Sequence, residues 1–180
     1  MYNKILITGG CGFIGSCLIR SLSKNNDIEI LNIDNLTYAA NINATQVTNK
    51  TNYQLIKADI SKSNEIKDIF TNFQPDAVFH LAAETHVDRS IDNPKNFIQS
   101  NIVDVFNLLE SFKEYSKKHN SKLIHISTDE VYGDIKNNLR SDENYKYDPS
   151  SPYSASKASG DHLIKSYLRT YKLNAVISNC

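Results

Sequence analysis

Four of the chain's six glycines, Gly9, Gly10, Gly12 and Gly15, fall within seven residues. They stand between an apolar run at 4–8 and a segment of helical period at 14–24. Gly10-Cys11-Gly12-Phe13-Ile14-Gly15 satisfies G-x-G-x-x-G, and Gly9, Gly12 and Gly15 give a looser G-x-x-G-x-x-G. In a strand–turn–helix setting one glycine makes the tight turn. A second lets a pyrophosphate approach the backbone, and a third lets helix and strand pack closely. The helix start then presents free N–H groups and a partial positive charge to phosphates. A mononucleotide loop of G-x-x-x-x-G-K type is the rival, but Ser16 stands where its lysine should be, which disfavours nucleotide hydrolysis. Asp34 closes a second apolar run, 19 residues after Gly15. A carboxylate there can accept hydrogen bonds from a ribose diol and repels a 2′-phosphate. No Arg or Lys lies between Asp34 and Lys50, so NAD is preferred to NADP as cofactor. The competing reading makes Asp34 a simple strand-end turn residue, and the glycines weigh against it.

The remaining chain repeats the same alternation. Strands are expected at 4–8, 28–33, 53–58, 77–82, 122–127 and 174–178. Helices are expected at 14–24, 61–73, 97–118 and 153–171, with a polar loop over 134–152. The 97–118 stretch carries Ile98, Ile102, Val105, Phe106, Leu109 and Phe112 at helical spacing. This order implies βαβ units, and hence an α/β, doubly wound parallel sheet in three layers, α/β/α. A length of 180 residues suits one such domain. Twenty basic residues balance twenty acidic ones, which argues against nucleic acid or an anionic membrane as a partner. No apolar run is long enough to span a bilayer, and the start does not read as a signal peptide. Three cysteines without C-x-x-C spacing favour a reducing cytoplasm over a disulfide framework. The chain stops at an apolar strand, and we expect it to be the front part of something longer.

Two further groups carry chemistry. Tyr153 and Lys157 are four apart at the start of a helix and share a face. A nearby ammonium would stabilise a phenolate, making tyrosine a usable base for a sugar hydroxyl. Without the glycine loop this spacing would read as a solvated helix face. Ser127-Thr128-Asp129-Glu130 follows the fifth strand, where a parallel sheet lines its ligand crevice. It reads either as a helix cap with acids in the first turn or as a hydroxyl donor with an acid and a base. Spacing alone leaves both open. The histidines are scattered, His80 and His125 in buried strands as satisfied core residues, and no spacing supports a metal site.

Together these residues resemble the extended short-chain dehydrogenase/reductase superfamily, and within it the dTDP-glucose 4,6-dehydratase family. The matching stretches are Thr8–Ser16, Asp34-Asn35-Leu36-Thr37-Tyr38-Ala39, Lys57-Ala58-Asp59-Ile60, Leu81 to Ile91, Ser127 to Gly133 and Tyr153 to Ala158. The resemblance implies a Rossmann-like NAD-binding domain over 1–180. It implies that Gly9, Gly12, Phe13, Ile14, Gly15, Asp34, Asn35, Thr37, Asp59, Ile60, Leu81, Ala82, Ala83, Thr85, Tyr153 and Lys157 line the NAD site. It further implies that Tyr153 deprotonates a glucose 4-hydroxyl, that Glu130 removes the C5 proton and that Asp129 protonates the departing 6-hydroxyl. Thr128 would bond the 4-oxygen, and Lys157 would hold the nicotinamide ribose and support Tyr153. Asn101 matches a helix position with a structural or relay Asn. A nucleotide sugar, dTDP-glucose first, is the implied substrate, and a homodimer through 97–118 and 153–171 the implied assembly. The sugar-binding domain of such proteins is not found in these 180 residues, so we expect the chain alone to turn over poorly. The alternatives are another epimerase, dehydratase or decarboxylase of the superfamily, which usually lacks the Asp-Glu pair, and a non-catalytic NAD-binding protein.

Overall fold

The computed structural model describes residues 2–47, 50–135 and 140–180. Six strands form one sheet: β1 Lys4–Thr8, β2 Glu29–Asp34, β3 Tyr53–Lys57, β4 Ala77–His80, β5 Lys122–Ser127 and β6 Ala175–Asn179. Their order is β3-β2-β1-β4-β5-β6, and every neighbouring pair is parallel. The order reverses between β1 and β4, so a crevice opens beyond the carboxyl ends of these two strands. The glycine turn, Asp34, Leu81 and Thr128 all follow strand ends at that edge.

The strands are short and apolar because both faces are covered. Side chains alternate across β1. Leu6 packs with Leu31, Val78, Leu109, Phe112 and Ile164 on one face, while Ile5 and Ile7 pack with Ile19 and Ile30 on the other. Helix α1 Phe13–Leu22 supplies Ile19 to the second face. Helices α2 Ser63–Phe73, α5 Asp104–Ser116 and α6 Pro152–Tyr171 cover the first through Ile66, Phe70, Leu108, Phe112 and Ile164.

The helix expected at 97–118 forms as one unbroken run from residue 94 to 116, with a π-helical turn inside it and an unforeseen short helix before it. Two short helices, α3 Val87–Asp92 and α4 Pro94–Ile98, precede a π-helical turn, Gln99–Val103, which runs into α5. Pro94 at the first turn separates α3 from α4, since it lacks an N–H and restricts Asn93. The wider π turn shifts the phase of the apolar stripe. Val105, Leu109 and Phe112 reach the core, while Ile98 and Phe106 stay exposed. Strand β4 also ends earlier than the expected 82, at His80. The loop expected over 134–152 includes residues 136–139, which lie outside the described residues. Helix α6 begins on a capping box, in which Ser151 Oγ accepts from Ser154 N–H and Ser154 Oγ accepts from Ser151 N–H.

Candidate active site

The glycine turn is built from backbone. Gly9 has φ +72°, and a side chain there would meet Ala82 N at 2.6 Å. At Gly15 an added Cβ would meet Gly9 O at 2.5 Å, so the third glycine is set by the packing of α1 on the turn. Gly12 differs. Its backbone is extended (φ −77°, ψ 179°), and an added Cβ would touch only Gly9 O at 3.2 Å. That one contact is tight but single, and no other protein atom lies within 4 Å of the added Cβ, so a ligand could approach there. Phe13 begins α1 with no side-chain cap, so the first-turn N–H groups of Phe13, Ile14 and Gly15 have no partner among the described residues. Phe13 is 94% exposed beside them.

Side chains from β2 brace the turn. Asn32 Oδ1 accepts from Gly10 N–H at 3.0 Å, and its Nδ2 donates to Tyr53 OH at 3.0 Å. Asp34 accepts from Cys11 N–H at 2.9 Å and Leu36 N–H at 2.8 Å, and retains lone pairs at the crevice edge. Asn32 is a residue that sequence reasoning missed. Its signal was an amide inside the apolar run Ile30-Leu31-Asn32-Ile33, where burial demands partners. Asn35 and Thr37 are exposed just past β2, and Asn35 Nδ2 donates to Asp59 at 3.4 Å. Asp59 is half-buried after β3, whereas the Ile60 side chain belongs to the core. Leu81 N–H donates to Thr8 O at 3.0 Å and Ala82 N–H to Thr8 Oγ1 at 3.2 Å, which seats Leu81, Ala82 and Ala83 beside the turn. Thr85 is exposed.

Across the crevice stand the side chains of β5 and α6. Thr128 caps a turn of 3₁₀ helix, Asp129–Tyr132, and accepts from Glu130 N–H at 3.3 Å. The capping reading of the triplet therefore holds, and it leaves Asp129 and Glu130 exposed at the crevice. Partial desolvation, then the neighbouring Asp129, raises the Glu130 carboxyl above its ordinary range. Tyr153 and Lys157 are both buried, at 7% and 5% exposure. Burial pushes the Tyr153 phenol up; the Thr128 hydroxyl opposes this by bonding the phenolate, while Glu130, Cys180 and Asp129 add to it. The Lys157 ammonium donates to Ile126 O at 2.8 Å. Burial lowers its pKa to about 8. The group that lowers the phenol in this state is thus the Thr128 hydroxyl, while the ammonium that the Tyr-Lys spacing suggested is engaged by Ile126 O.

Helix α6 is held at the crevice by residues from 84–101. Tyr153 N–H donates to Ser90 Oγ at 3.0 Å, and the Tyr153 ring meets Phe97 edge-on at 6.3 Å. Asn101, in the π turn, accepts from Glu84 N–H at 2.9 Å and donates to Glu84 O and Ser156 Oγ, both at 2.9 Å. An added Cβ at Gly160 would meet Asn101 O at 2.9 Å, so that glycine permits the close approach of α6. His80 and His125 are buried, but they are not the satisfied core residues expected. Thr8 Oγ1 lies 2.7 Å from His80 Nδ1, yet His80 Nε2 and both His125 nitrogens lack hydrogen-bond partners among the described residues. Among the described residues no three His, Cys, Asp or Glu side chains converge as metal ligands.

A parallel sheet in this strand order, a glycine turn at its switch point and a Tyr-x-x-x-Lys pair at the carboxyl end of β5 define the Rossmann-fold, short-chain dehydrogenase/reductase class. The chain belongs to the GDP-mannose 4,6 dehydratase family, whose model matches residues 6–180. It is 49% identical over 193 residues to the dTDP-glucose 4,6-dehydratase of Salmonella typhimurium, covering 98% of this chain and 54% of that protein. It thus spans about half the length of the curated relatives it matches. Among solved structures, the dTDP-glucose 4,6-dehydratase of Streptomyces venezuelae, with NAD bound, superposes with a TM-score of 0.89 at 34% identity, over 98% of this chain and 55% of that one. UDP-glucose 4-epimerase of Thermus thermophilus, in complex with NAD, gives 0.86 at 29% identity, over 98% and 54%.

Proposed function

We propose that this chain forms the NAD-binding half of a nucleotide-sugar 4,6-dehydratase, with dTDP-glucose as substrate. The single observation that carries the reading is that the open glycine turn and the Thr128-Asp129-Glu130/Tyr153/Lys157 group both lie at the carboxyl edge of one parallel sheet. The unpartnered N–H groups of Phe13, Ile14 and Gly15 suit a pyrophosphate, and Asp34 suits an unphosphorylated ribose. Bound NAD would supply a hydride acceptor and donor at the sugar. Tyr153 takes the proton of the 4-hydroxyl, aided by Thr128 at the same oxygen. Glu130, its proton affinity raised, takes the C5 proton, and Asp129 delivers one to the departing 6-hydroxyl. Lys157, carrying its charge below about pH 8, would hold the ribose hydroxyls of bound NAD, and its positive charge would lower the phenol.

The carboxyl pair favours dehydration over epimerisation, which needs no acid and base for water loss. The exposed Ile98, Val103 and Phe106 support a homodimer in which this face is covered. Three free cysteines support a reducing cytoplasm. Among the described residues no helix is long and apolar enough to cross a membrane.

Calorimetric titration of the 180-residue chain with NAD and with NADP tests the cofactor site. NAD should bind at least about tenfold more tightly, since a 2′-phosphate would meet Asp34. Equal affinities would overturn the assignment. Incubation with dTDP-glucose, alone and with the full-length Salmonella relative as positive control, followed by mass spectrometry for loss of one water, tests the chemistry. A glucose-to-galactose interconversion without water loss by a full-length version of this sequence would favour the epimerase reading.

A further inference from the structure

Behind the crevice lies a buried carboxylate that the proposed chemistry does not use. Asp161 is fully buried on α6, one turn beyond Lys157 and on the same face. Its Oδ2 accepts from Ser127 Oγ at 2.8 Å and Tyr147 OH at 2.9 Å. Its Oδ1 has no hydrogen-bond partner among the described residues and stands 3.5 Å from His125 Nε2.

We infer that Asp161 is a positioning residue for the Tyr153–Lys157 site: its carboxylate is the buried counter-charge that keeps the Lys157 side chain an ammonium, and through Ser127 it fixes the strand end that carries Thr128. The inference rests on the proposed reading for its functional meaning, but its physical content does not.

The charges around Lys157 come from several elements. His80 of β4 and His125 of β5 face it, and burial drives both towards the neutral form. From α6 itself comes Asp161, which acts to raise the lysine against its desolvation. Tyr147 and Tyr132 face Asp161 as phenols that burial pushes up, so they remain neutral donors or neighbours. Asp161 itself is held low by its hydrogen bonds and His125, despite burial. Asp161 makes no direct ion pair with Lys157, whose ammonium donates to Ile126 O; it is the buried carboxylate one helical turn away, tied to Ser127, the residue next to that carbonyl. An ammonium at 5% exposure with no such counter-charge would shed its proton near neutrality. A neutral amine would hold neither ribose nor phenolate.

A purely structural Asp161 would matter only through the hydroxyls it ties together. Nuclear magnetic resonance of the 180-residue chain separates the two roles. The Lys157 ¹³Cε signal, assigned by its loss in Lys157→Arg, is titrated from about pH 6 to pH 10. In Asp161→Asn, which keeps the shape and an acceptor, the Lys157 midpoint should fall by at least about one unit, a tenfold loss of proton affinity. Ser127→Ala and Tyr147→Phe, which remove a donor but keep the charge, should leave it within about 0.3 units. An unchanged midpoint in a folded Asp161→Asn, or an equal fall in Tyr147→Phe, overturns the inference. If Asp161→Asn does not fold, the unmodified chain decides. Its Asp161 ¹³Cγ signal should move through the Lys157 midpoint, and a flat response there refutes the coupling. The titration uses neither cofactor nor sugar, so a failure to bind NAD would sink the proposed function and leave this result standing.

Discussion

The two sides of the crevice are made of different material. The glycine turn is backbone: its donors are peptide N–H groups, its shape follows from missing side chains, and seven consecutive residues contain it. The β5–α6 side is made of side chains: 127, 128, 153, 157 and 161 are buried together, Glu130 is exposed beside them, and each is charged or neutral according to its neighbours. A backbone site is carried by local sequence and is insensitive to pH. A side-chain site depends on long-range packing, and its working state is a matter of protonation. Damage to the first should appear as misfolding or lost binding, and damage to the second as altered titration.

The harshest way to break the comparison is Gly9→Val. A β-branched residue at φ +72°, with its Cβ 2.6 Å from Ala82 N, should cost roughly 4 kcal/mol or more, or prevent accumulation of folded chain. Urea denaturation checks this, and a near-normal midpoint would mean that the turn can relax. Next comes Lys157→Met. In the folded chain the lysine titrates at about 8 rather than its ordinary 10.5. Below pH 8 both folded and unfolded chains hold the proton, and burial of the charge costs the folded state its full penalty. Between pH 8 and 10.5 the unfolded chain holds more protons, so Lys157 makes stability rise with pH there. The parent chain should gain about 3 kcal/mol on Lys157→Met across that window. Parallel stability–pH curves for the two proteins would contradict the buried ammonium.

A milder probe sits at the start of α6. Ser151→Ala removes one half of the capping box and should cost about 1 kcal/mol. If Tyr153 depends on that helix start, fluorescence-detected NAD affinity should weaken with it. The smallest effect on stability belongs to Gly12→Ala, within about 1 kcal/mol because the backbone is extended and the added Cβ meets a single protein atom, Gly9 O. Yet its NAD affinity should drop by at least about tenfold, since the methyl occupies the ligand's approach. Loss of stability with unaltered binding would reverse the assignment of Gly12.

Much of the fold was legible because its signals are short in range. The apolar runs that became β1, β3 and β5 match the expectation at their starts, and Asp34 falls at the end of β2 as its spacing implied. The stretch 86–103 was not legible as it is. Periodicity placed a helix from 97 onward and gave no sign of α3 or of the π turn, which brings Asn101 to Glu84 and Ser156. Periodicity reports which residues are apolar, but not how a helix is rephased to satisfy buried amides. In the same way, Tyr153 and Lys157 were visible as a pair, while Ser90, Phe97 and Asp161, which place them, were not. Those three touch the pair only through space, and each taken singly is an ordinary residue in an ordinary helix.

From its residues alone the chain determined the strand–glycine–helix opening, the alternating order of elements and the types of side chain available for chemistry. These depend on steric limits and hydrophobic spacing that act within a dozen residues. Only the tertiary structure decided that Lys157 lies against Ile126 O, that Tyr153 answers to Thr128, and that a buried Asp161 sets the charge behind them. Ionisation depends on how much water each group has lost and which charges remain beside it, and both are properties of the folded interior.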